Sequence, residues 1–128
     1  MIKITRLLHS TILVTDLVQA IEFYEGLLGL EADIARPDLG YPGKWYDLGK
    51  QQIHLMPLPD PEKIHGYQID RPEHVGRDRH IAVEVDSVEN LAKLLDRENI
   101  LYTMSRSGRR ALFCRDPDGN GLEFVEFS

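Results

Sequence analysis

Residues 8–16 read LHSTILVTD, and residues 79–86 read RHIAVEVD. Both are runs of branched apolar residues that carry one histidine and end at an aspartate. Each aspartate leads into an apolar stripe of helical period. Each half then closes on another short strand-like run, QIHLM at 52–56 and GLEFVEF at 121–127. The spacings agree: 70 residues separate Asp16 from Asp86, 71 separate His9 from His80, and 69 separate His54 from Glu123. The chain reads as a duplication. Equivalent positions superpose in a duplication, so His9, His54, His80 and Glu123 collapse onto two symmetry-related pairs. They are the candidate ligands of one metal site.

Working outward, the first half predicts a strand at Leu7–Val14. A helix follows, opened by Asp16 with Gln19 at capping-box spacing. Val18, Ile21, Phe23, Tyr24, Leu27 and Leu28 form its stripe, and Gly29 stops it. A strand at Glu31–Ala35 leads into the loop Pro37–Gly43, and Lys44–Leu48 with Gln51–Pro57 form a hairpin about Gly49-Lys50. The second half repeats the plan. His80–Val85 is a strand, Asp86 with Glu89 repeats the capping spacing, and Val88, Leu91, Leu94 and Leu95 make the stripe. Strands at Ile100–Ser105, Arg110–Arg115 and Gly121–Phe127 follow, the last two flanking the turn Asp116-Pro117-Asp118-Gly119.

The expected fold is therefore α+β, one domain of two βαβββ modules. Module one covers about 4–57, a connection 58–78, and module two about 79–128. Neither module covers its own sheet face well, so the two are expected to build a larger curved mixed sheet around a shared cavity. Residues 57–79 hold four prolines and little periodicity, and His65 and His74 within them are expected to be solvated loop residues rather than ligands.

Bulk properties narrow the function. The 128 residues suffice for one real core. A net charge of −6, from 15 basic and 21 acidic side chains, leaves no basic stripe for nucleic acid. No apolar run approaches the ~20 residues that span a bilayer, and the first residues lack the apolar core of a signal peptide. A single cysteine, Cys114, excludes an intrachain disulfide and fits a reducing cytoplasm. It sits in the apolar run ALFC and reads as buried filler.

Strand alternation decides where the candidates face. His80 shares a face with Ala82 and Glu84, opposite Ile81, Val83 and Val85. His9 shares a face with Thr11 and Leu13, His54 with Gln52 and Met56, and Glu123 lies opposite Leu122 and Phe124. All four can face away from a helix-packed core. Three imidazoles and one carboxylate form an N/O set suited to Fe, Mn, Co, Ni or Zn rather than Ca or Mg. Such a set leaves room for a bidentate substrate. Arg109, on the face of Ala111 and Phe113, reads either as an anion-binding group or as a solvated arginine.

These residues resemble the vicinal oxygen chelate superfamily, which includes glyoxalase I, extradiol dioxygenases, and fosfomycin and bleomycin resistance proteins. RLLHSTILVTDL is similar to the family's first metal strand, HIAVEVD to the second, and DPDGNGLEF to its closing turn and strand. The resemblance implies the glyoxalase/bleomycin resistance/dioxygenase fold and metal ligands at His9, His54, His80 and Glu123. It also implies a homodimer in which His9 and His54 of one chain meet His80 and Glu123 of the other. Bacterial glyoxalase I carries arginine and asparagine anchors for glutathione where this chain has Leu13 and Leu58, which argues against that substrate. Fosfomycin transferases carry further basic and hydroxyl residues beyond the last ligand, where this sequence runs only to Ser128. His9, His80 and Glu123 alone form a two-His-one-carboxylate set, beside apolar Leu13, Met56, Phe113 and Trp45. The expectation is a cytoplasmic metal-dependent enzyme on a small apolar or aromatic substrate, leaning to dioxygenase chemistry with His54 as acid/base. A lyase or isomerase in which Glu123 moves the proton is the alternative, and a metal-free sequestering protein is a third.

Overall fold

The computed structural model describes residues 1–60 and 71–127. The chain divides into two compact units, Met1–Ile64 and His65–Ser128. In the first, β1 (His9–Val14), β2 (Glu31–Ala32), β3 (Lys44–Leu48) and β4 (Gln51–Pro57) form a sheet in the order β1-β4-β3-β2. In the second, β5 (His80–Glu84), β6 (Tyr102–Met104), β7 (Ala111–Arg115) and β8 (Gly121–Val125) form a sheet in the order β5-β8-β7-β6. The duplication read in the sequence is thus repeated strand for strand. The hydrogen bonding gives two four-stranded mixed sheets, each with one parallel pair between its first and last strands.

The first sheet buries Ile12 and Val14 of β1, Tyr46 of β3, and Ile53 and Leu55 of β4. Asp16 caps the helix α1 (Leu17–Ile21), its side chain accepting from the Gln19 amide at 3.2 Å. The helix does not continue regularly to Leu28. Glu22–Leu27 form a π-helical segment, with the Leu28 amide reaching the Phe23 carbonyl at 3.0 Å. The wider turn lets successive aromatics, Phe23 and Tyr24, both point inward, and Tyr24 stacks near Tyr46 with centroids 6.3 Å apart. Gly29 ends the segment at φ 74, a left-handed conformation that suits glycine.

In the second unit, α2 (Val88–Arg97) buries Val88, Leu91 and Leu95. Its cap is Ser87, which accepts from the Asn90 amide at 3.1 Å, rather than Asp86 with Glu89. The helix therefore starts one residue later than expected, with the Ser87 hydroxyl taking the amide three residues on. The strand expected at Glu31–Ala35 stops at Ala32, where the Asp33 side chain folds back on the Ala35 amide at 2.9 Å. Ile100–Ser105 likewise shortens to Tyr102–Met104.

A 3-10 turn at Val75–Arg77 lies within the expected connection. His74 caps it, Nδ1 accepting from the Gly76 amide at 3.0 Å, and packs edge-on to Phe113 at 5.2 Å. His74 is therefore a half-buried cap, not a solvated loop residue. His65 lies outside the described residues. Among the described residues, no helix is long and apolar enough to cross a membrane.

Candidate metal centre

The sheets place the four candidates as two pairs at matching register. Thr11 of β1 lies opposite His54 of β4, and Ala82 of β5 lies opposite Glu123 of β8. In each unit the first-strand histidine therefore sits two residues before the partner of the last-strand candidate. The third strand adds an aromatic neighbour in each, Trp45 opposite His54 and Phe113 opposite Glu123.

In the first unit, the buried His54 ring lies between two others. His9 stacks on one face at 4.1 Å and 13°, Trp45 on the other at 4.4 Å and 7°. His54 Nε2 is 2.8 Å from Gln52 Oε1. The tautomer follows from Gln52, whose Nε2 donates to Asp33 Oδ2 at 2.9 Å and Asp47 Oδ1 at 2.8 Å. The amide oxygen is left facing His54, so Nε2–H donates to it and Nδ1 carries the lone pair. Burial lowers the His54 pKa, and His9 and Arg36 add to the shift while Asp33 opposes it. The imidazole is neutral near pH 7 and available as a donor ligand or base.

In the second unit, His80 Nδ1 donates to the Asp78 carbonyl at 2.8 Å, and Nε2 faces Glu123 Oε2 at 3.3 Å. A backbone carbonyl on one ring nitrogen is the orientation that metal-binding histidines commonly show. Asp78 is itself clamped: Arg115 Nη1 lies 2.8 Å and Arg71 Nη1 3.3 Å from Oδ2, and the Arg79 amide 2.8 Å from Oδ1. Burial pushes the Asp78 carboxyl up, but these bonds and the two guanidinium charges bring it below its ordinary value. Arg109 Nη2 donates to Glu123 Oε1 at 2.6 Å. Arg109 is thus an exposed arginine, as the second of its two readings has it, whose guanidinium is ion-paired to a buried carboxylate.

The donor chemistry fits a divalent ion of the borderline group. With Nδ1 committed to a carbonyl, His80 keeps Nε2 directed at a carboxylate oxygen, an arrangement that a divalent cation between them would satisfy. The His9–His54 pair fits less simply. Rings 13° from parallel and 4.1 Å apart do not aim their in-plane lone pairs at one point. In this arrangement only one of the two imidazoles could serve a given ion, with the other beside it. Among the described residues, no group of three or more His, Cys, Asp or Glu side chains is placed to hold a metal.

Sequence reasoning missed the partners that orient these rings. Gln52 was legible two residues before His54 on the same strand face. Asp78 acts through its carbonyl, which no side-chain pattern reveals.

The profile of the Glyoxalase/Bleomycin resistance protein/Dioxygenase superfamily matches residues 6–124, and the chain belongs to that superfamily. It is 30% identical over 128 residues to a protein of Arabidopsis thaliana named Glyoxylase I 4, covering 95% of this chain and 71% of the relative. It is 26% identical to a lactoylglutathione lyase of Neisseria meningitidis, covering 94% of this chain and 90% of that one. Among solved structures it resembles a glyoxalase family protein of Bacillus anthracis, with a TM-score of 0.75 at 20% identity over 100% of this chain and 99% of the other. It also resembles the fosfomycin resistance protein FosX of Listeria monocytogenes, with a TM-score of 0.71 at 19% identity over 96% and 92% of the two chains. These likenesses establish the fold.

Proposed function

We propose that this member of the superfamily is a divalent-metal-dependent lyase or isomerase whose substrate presents two vicinal oxygens to the ion. The observation that supports it is His80 Nε2 facing Glu123 Oε2 at 3.3 Å while Nδ1 is held by a carbonyl. His9, His80 and Glu123 are the proposed ligands. His54 is either the fourth, after a ring rotation, or the proton carrier. A divalent ion held by these residues would supply Lewis-acid polarisation of the substrate oxygens, which would acidify the neighbouring C–H. Neutral His54, with Nε2–H held by Gln52, offers Nδ1 to take that proton and return it to the adjacent carbon. The relatives named lactoylglutathione lyase favour this class. Leu13 and the buried Leu58, in place of the polar glutathione anchors of bacterial glyoxalase I, favour a smaller and less charged substrate than that tripeptide. A homodimer completing the site is part of the same proposal.

The near-parallel His9 and His54 rings support a second reading. If His54 stays off the metal, the remaining two-His-one-carboxylate set leaves three positions, as oxygen-activating enzymes use. The first test is metal content per chain, measured by plasma mass spectrometry on anaerobically purified protein beside His80→Ala. Near-stoichiometric metal that the variant lacks supports the centre. Absence of metal, even after reconstitution, would leave a sequestering protein as the better reading. Turnover of small α-hydroxycarbonyl and 2-oxoaldehyde compounds without O₂ then supports the lyase or isomerase. A strict O₂ requirement with catechol-like compounds points to the dioxygenase.

A further inference from the structure

The two oxygens of Glu123 live in different surroundings. Oε2 faces His80, whereas Oε1 takes a hydrogen bond of 2.6 Å from Arg109 Nη2. The glutamate side chain is only 7% exposed and the arginine 55%. A pair exposed at both ends is worth little, but a carboxylate this buried needs a partner, and a charge-assisted bond this short is a strong one.

The hairpin that carries Arg109 is built to present it. The Ser105 amide bonds the Ala111 carbonyl at 2.9 Å, and the Ser105 and Ser107 hydroxyls meet at 2.8 Å. The Ser107 amide donates to Ser105 Oγ at 3.2 Å. Gly108 then turns at φ +85, a conformation open to glycine, and the Arg109 amide reaches back to Ser107 Oγ at 3.4 Å. The corresponding hairpin of the first unit carries Arg36, which bonds the Tyr41 carbonyl at 3.0 Å and helps lower the pKa of His54. Both hairpins bring an arginine near the last-strand candidate. Among the described residues, Arg109 alone of the two meets a carboxylate.

Carboxylates hold cations through one oxygen or through both. We propose that Arg109 is a positioning residue that reserves Oε1, so that Glu123 serves a metal through Oε2 alone and a coordination position stays open for a chelating substrate. This rests on the metal-centre reading above. Arg109 acts through Glu123, by keeping the second oxygen off the ion.

The test loads metal-free protein with Co(II) and titrates acetohydroxamate, a small two-oxygen chelator, into wild type, Arg109→Met and Arg109→Lys. In R109M, Oε1 is released. The expected result is Co(II) binding at least as tight as in wild type, a changed Co(II) visible spectrum before any chelator is added, and acetohydroxamate affinity lower by about tenfold or more. R109K, which keeps a donor for Oε1, should restore the wild-type spectrum. If R109M matches wild type in both spectrum and chelator affinity, the proposal is overturned. The same holds if only chelator affinity falls with the spectrum unchanged, since Arg109 would then contact the chelator itself. Loss of Co(II) binding in R109M, but not in wild type, overturns it in favour of a structural role. Failure of wild type to bind Co(II) defeats the metal-centre reading and this proposal with it, and only that outcome shows in the wild-type titration.

Discussion

The two units share a strand order and a register, yet they hold their imidazoles by different means. In the first, a side chain does it: Gln52, opposite His9 in the ladder, bonds His54 and is itself fixed by Asp33 and Asp47. In the second, Gly121 occupies the place of Gln52 opposite His80, and the backbone carbonyl of Asp78 takes over. Glycine is required there because the chain comes close. A Cβ on Gly121 would lie 2.8 Å from the Arg79 carbonyl oxygen and 2.8 Å from Val75 Cγ1. The first unit keeps its carboxylates behind an amide, while the second places one beside the imidazole and adds an arginine. Duplication preserved the positions. The chemistry at each position diverged.

Substitutions at matched places can break this comparison. The largest effect is expected from His80→Ala or Glu123→Ala, either of which should abolish bound metal. That loss exceeds the ~10–100-fold cost usual for outer partners of a metal site. His54→Ala should cost less if His54 stands beside the ion, and plasma mass spectrometry with an activity assay separates the cases. Next, Gln52→Leu should lower metal affinity or turnover by about 10–100-fold, because His54 loses the acceptor that sets its tautomer. Isothermal titration with Co(II) checks this, and a variant equal to wild type would show that the amide holds nothing of consequence.

Gly121→Ala tests the other arm. Its methyl meets a backbone oxygen that cannot step aside, so urea denaturation should show a loss of about 1–3 kcal/mol. An unchanged midpoint would mean that the 3-10 turn yields easily. The smallest effect concerns the pair Tyr46 and Cys114, equivalent residues of β3 and β7, whose acidity burial suppresses in both cases. For Cys114 the pKa is pushed up to about 12, with Asp116 adding to the effect. The unfolded thiol ionises near its ordinary value while the folded one does not. Its contribution to stability is therefore full below about pH 9 and is lost as pH rises toward 12. Between pH 7 and pH 10 wild type should lose about 1 kcal/mol more than Cys114→Ala. Equal losses would mean the thiol titrates normally.

Much of this was legible in the residues. Lys44–Leu48 and Gln51–Pro57 form strands with the expected bounds, because alternation and a tight glycine turn leave few other solutions. The four candidates were found by superposing the halves, and the two ladders set His9 from His54 and His80 from Glu123 at the same two-residue offset. What escaped lies below the resolution of a pattern. The π-helical segment depends on how Phe23 and Tyr24 share one interior, and helical period alone does not distinguish it. Ser87 displaces Asp86 as cap by one residue, a choice between two good acceptors. Arg109 lay on the right face, but its bond to Glu123 needs the Ser105–Gly108 turn, which only the folded chain displays.

In each unit the parallel pair joins the first strand to the last, β1 to β4 and β5 to β8. A ladder of that kind cannot start until the whole intervening chain has been made, and its closure entropy falls due before its contacts form. On the ribosome, His9 waits for His54, and His80 waits for Glu123. Each candidate pair therefore assembles only when the final strand of its unit has docked.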